Sequence, residues 1–147
     1  MATGALRVNG IDSGNAIFRG HITAAGSAPA IATAAPVQLG TGPSVAIAGT
    51  DRRGTITITT GTAPAAFVAG TSVVLATVTF ALTYGVAPVF ISILPGNAAA
   101  ARNYGGSILT FYCNAATATT LTIDAVSNAT PSLAASTAYK FFYLVEG

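Results

Sequence analysis

The sequence predicts an all-β protein, and three observations carry that expectation. Runs of β-branched and aromatic residues recur, each bounded by Gly, Pro, Asn or Ser, at the spacing of a sandwich or barrel. No window places apolar residues at three-to-four spacing beside a charged face, and Ala-rich stretches are interleaved with Thr, Gly, Pro or Val, so helix is not expected. The 147 residues are 52% hydrophobic but only 7% charged, with mean hydropathy +0.65, which excludes a disordered chain and gives one domain enough apolar material for a core.

Strands are expected at Ala16–Thr23, Val37–Leu39, Val45–Ala48, Gly54–Thr60, Val73–Ala81, Val89–Leu94, Ser107–Asn114, Thr119–Val126 and Ala138–Val145. The first is the mixed apolar and polar run around His21. The second and third are short runs between Pro36, Gly40 and Pro43. In the fourth, Thr55-Ile56-Thr57-Ile58-Thr59 alternates strictly, placing two Ile inward and three Thr outward. The fifth lies in the uncharged segment Ala63–Leu82. That segment is long enough to cross a bilayer as a helix, but Pro64, Gly70 and its Thr content make it strand material, and no membrane insertion is expected. The sixth to eighth are apolar runs separated by Pro95-Gly96-Asn97 and by a Thr-rich turn. In the last strand Tyr139, Phe141, Tyr143 and Val145 share one face, with Lys140, Phe142 and Leu144 on the other. Apolar character on both faces means it is covered twice, so Phe142 and Leu144 are candidate subunit-interface residues.

Ala24–Pro36 is small in side chain and low in complexity, and reads as an extended arm. Two regions follow: residues 1–48, an N-terminal arm or linker with short strands, and residues 49–147, a β-sandwich domain.

The net charge of +2 rests on six scattered cations, of which only Arg52 and Arg53 are adjacent. That excludes a phosphate-neutralising stripe, and no nucleic-acid partner is expected. An ordinary domain carries about 25% charged residues, so a surface this poor in charge points to self-association.

The catalytic inventory is thin. One His, one Cys and four carboxylates supply no convincing triad, and His21 and Cys113 have no metal-ligand spacing, so no cofactor, metal or enzymatic activity is expected. Cys113 reads as packing. Asp51 sits between Gly49 and Gly54 in a turn, where an Asp accepts backbone hydrogen bonds, and Gly49, Asp51 and Gly54 form a candidate structural turn. Asp124 reads as an outward strand residue or an interface partner for an Arg. The polar stretch Asn97–Gly106 reads as a loop tip whose Arg102, Asn103 and Tyr104 form a candidate interaction site, for a sugar by stacking and hydrogen bonding or for a protein neighbour.

From Ala48 to Val145, about two thirds of the chain, the sequence resembles a domain of bacteriophage virion proteins, found at tail-fibre tips and in small head proteins. The residues concerned are AGTDRRGTITITTGTAP from Ala48, VLATVTFALTYGVAPVFISILPGNAAA from Val74 and STAYKFFYLVEG from Ser136. The resemblance implies an antiparallel, jelly-roll-like β-sandwich assembled as a homotrimer, located in the virion and working through surfaces. It transfers no catalytic residue. The function it implies is a capsid cement or decoration protein clamping adjacent major capsid subunits, with the arm reaching across the shell. A fibre tip recognising a host surface glycan is the alternative.

Overall fold

The computed structural model describes residues 26–104 and 109–146. Eight strands form two four-stranded sheets in which every pairing is antiparallel. In chain order they are β1 (Ala30–Thr33), β2 (Ser44–Gly49), β3 (Arg53–Thr59), β4 (Ser72–Thr79), β5 (Phe90–Pro95), β6 (Leu109–Ala116), β7 (Thr120–Ser127) and β8 (Ala138–Glu146), with a helix α1 (Ala98–Tyr104) between β5 and β6. One sheet has the order β1-β4-β7-β6 and the other β2-β3-β8-β5, so the chain passes repeatedly between layers.

The core lies between the sheets and follows from alternation. On β8, Tyr139, Phe141, Tyr143 and Val145 are buried while the intervening residues are exposed. On β3 the two Ile of the Thr-Ile-Thr-Ile-Thr run are each 1% exposed, and in the other layer Leu121, Ile123 and Ala125 of β7 are buried in the same cluster. Phe111 of β6 meets Phe141 of β8 across the sandwich, ring centroids 4.9 Å apart. Leu39, Phe67, Phe80 and Leu133, all outside the strands, join the same buried cluster.

Three expectations need amendment, and a fourth is not tested. Val37–Leu39 is a 3-10 turn: Pro36 sets the extended lead-in at φ −66°, Leu39 and Gly40 donate to the carbonyls of Pro36 and Val37, and Gly40 leaves at φ +80°. The supposed arm contains β1, where Ile31 pairs with Val78, and β2 pairs with β3 over its full length, so residues 30–49 contribute a strand to each sheet. The segment Ala98–Tyr104 is a helix. Asn97 caps it by accepting a hydrogen bond from the Ala100 amide at 3.0 Å, and it opens with four Ala, the best helix former. The expected strand Ala16–Thr23, with His21, lies outside the described residues.

Candidate functional site

Two surfaces concentrate the unusual chemistry of the described residues. The first is the β2–β3 turn. Gly49 has φ +129°, and Thr50 donates its amide to the Arg53 carbonyl to close the turn. The Asp51 carboxylate reaches out of it: one oxygen accepts the Ala81 amide at 2.7 Å and the other the Leu82 amide at 2.8 Å. Both oxygens are committed to the loop after β4, so the group fixes one loop to another. Tyr84 donates its hydroxyl to the Asp51 carbonyl, and Tyr143 donates to the Thr50 carbonyl. Burial, followed by the nearby Asp51 and Tyr84, pushes the Tyr143 phenol up to about 12. Tyr84 is also raised, by burial and then by Asp51. Beside the turn lies a cavity of about 170 Å³ lined by Gly26, Thr50, Asp51, Arg52, Leu82, Thr83 and Tyr84. It falls short of the roughly 300 Å³ at which small-molecule pockets begin.

The second surface is the outer face of the β2-β3-β8-β5 sheet. Phe142 and Leu144, singled out from the sequence, are 52% and 38% exposed there. Register adds two residues that the sequence reading missed: Leu94 lies opposite Phe142, and Phe90 lies opposite Glu146. They are 53% and 50% exposed. The run Phe90-Ile91-Ser92-Ile93-Leu94 carries apolar residues on both faces, so which of them face outward is fixed only by the pairing with β8. Toward β2 and β3 the same face becomes a shallow trough of small residues, with Ala46, Ala48, Thr55 and Thr57 beside Lys140.

The remaining candidates are dispersed. Arg102 is exposed on α1, and Asn103 and Tyr104 occupy the last positions of that helix, not a loop tip. Asp124 projects outward from β7, on the face opposite the core, yet is only 1% exposed. Its Oδ2 accepts from Ser72 Oγ at 3.1 Å and Asn114 Nδ2 at 2.9 Å. Because the Ser72 hydrogen is spent there, Tyr112 is the donor in its 2.6 Å bond to Ser72. Cys113 packs against the core, and burial, then Asp124, pushes its thiol up to about 12, which makes it a poor nucleophile at neutral pH. Among the described residues no three His, Cys, Asp or Glu side chains cluster as metal ligands, and no helix is long and apolar enough to cross a membrane. Comparison with protein-family models, with curated proteins and with solved structures returns no match.

Proposed function

We propose that this chain is a structural protein of a bacteriophage particle, acting as a capsid cement or decoration protein that holds neighbouring major capsid subunits by buried area. The observation that carries the reading is the broad apolar patch of Phe90, Leu94, Phe142 and Leu144 on an otherwise regular sheet face, a surface through which copies of the chain can join before the assembly seats on the shell. The largest apolar patch on a protein's surface is often an interaction site. Three further points support it. The composition is poor in charge and rich in Thr, Ala and Gly. Eight strands in two four-stranded sheets match the strand count of a jelly roll. The resemblance of Ala48–Val145 to virion proteins points the same way.

The test is the copy number of this chain against the major shell protein in purified particles of the phage that encodes it. A number comparable with the shell subunit is expected. A few copies per particle would move the protein to a tail or vertex fibre, and its absence from particles would overturn the reading.

A further inference from the structure

Along β8 the outward residues read Lys140, Phe142, Leu144, Glu146: a cation, two apolar side chains, an anion. The order is self-complementary when reversed. We propose that this face docks a second copy of the chain about a two-fold axis that lies between the copies and crosses β8 at Tyr143.

That operation sets the two β8 strands antiparallel, face to face. Lys140 of one copy comes opposite Glu146 of the partner subunit, and Phe142 opposite Leu144 of the partner subunit, each contact occurring twice as an isologous interface requires. The neighbouring strands agree. Phe90 is level with Glu146 on β5, so it comes opposite the stretch beside Lys140, where Gly96 donates its amide to the Lys140 carbonyl and has no side chain to obstruct a ring. Arg53, level with Leu144 on β3, comes opposite Thr55 of the partner subunit and not opposite another cation.

The alternative symmetry fails on charge. A three-fold axis running along β8 would gather three Lys140 side chains at one end and three Glu146 at the other, and like charges brought together oppose association. The charge order therefore favours two-fold pairing at this face over the trimer expected from the sequence. The area is sufficient. Four large apolar residues, each roughly half exposed, form a patch of roughly 300–400 Å², and two such patches with their polar rims reach the lower end of stable interfaces, about 1,200 Å² in total. The pairing stands or falls independently of where in a particle the protein sits.

Sedimentation equilibrium of the full chain at micromolar concentration tests it. The expected species is a dimer, twice the 14.5 kDa chain mass. Lys140→Glu and Glu146→Lys should each raise the dissociation constant at least about tenfold, because each creates two like-charge contacts, and the double exchange should restore it. Phe142→Ser should give a monomer. All three positions are exposed, and far-UV circular dichroism of every variant should match the parent. A monomeric or trimeric parent would overturn the proposal, as would a dimer indifferent to Phe142→Ser or to the charge exchanges.

Discussion

Tyr143, on the C-terminal strand β8, donates its hydroxyl hydrogen to the backbone carbonyl of Thr50, 93 positions earlier in the turn between β2 and β3. The bond requires a neutral phenol. Tyr143 has its pKa raised to about 12 by burial and by Asp51, above the value of 10.0 that an exposed Tyr shows. Between these values the unfolded chain has lost the proton that the folded chain keeps, so the stability Tyr143 contributes is complete below about pH 10 and falls as pH rises toward 12. Urea denaturation across this range should show the fall. Tyr143→Phe should cost about 1 kcal/mol at pH 7 and make the alkaline loss shallower, with the remainder carried by Tyr84 and Cys113, whose pKa values are also raised.

Replacing Asp51 with Ala leaves the Ala81 and Leu82 amides without their acceptors. The expected loss is about 1–3 kcal/mol by denaturant titration, since hydrogen bonds to a charged acceptor are the stronger kind. Hydrogen exchange at those two amides should accelerate well beyond the rest of the sheet. Retained protection there would assign the link between the loops to something else.

Gly54 and Gly85 separate steric need from habit. A Cβ on Gly54 would lie 2.1 Å from the Ala48 carbonyl oxygen and 2.8 Å from the Tyr143 ring, whereas one on Gly85 would meet nothing within 4 Å. Gly54→Ala should therefore destabilise by about 1–3 kcal/mol or more, since the obstacle is backbone. Gly85→Ala should change stability by about 0.5 kcal/mol at most. Thermal melts of the two variants measure the difference.

Cys113 should resist alkylation in the folded protein. With the thiol held near 12, little thiolate exists at pH 8, and iodoacetamide labelling should run at least about a hundredfold slower than in denaturing urea. Comparable rates would mean that β6 opens readily.

The parts of the fold legible in the sequence are those where alternation is strong. β3 and β8 could be read because Thr alternates with Ile in one and large apolar residues mark both faces in the other. β1 could not, since Ala30-Ile31-Ala32-Thr33 carries one large side chain and owes its strand conformation to pairing with β4. The helix α1 was hidden by its context: four Ala follow an Asn in a chain where Ala otherwise fills strands, and the Asn97 cap also bonds the Ala138 carbonyl of β8, a long-range contact that no local pattern discloses. The apolar face was half legible for the same reason. Phe142 and Leu144 declare themselves within one strand, while Phe90 and Leu94 join them through register with a strand about fifty residues away.

Placing β8 between β3 and β5 has a consequence for biosynthesis. The last of the eight described strands fills the middle of its sheet, so until residues 138–146 leave the ribosome, β3 and β5 each present a row of unpaired amides and carbonyls. Nascent chains stalled before that point would hold a sheet with an open slot, a species suited to capturing strands from neighbouring polysomes. Folding of this layer thus waits for residues 138–146, while the β1-β4-β7-β6 layer has all its strands available earlier.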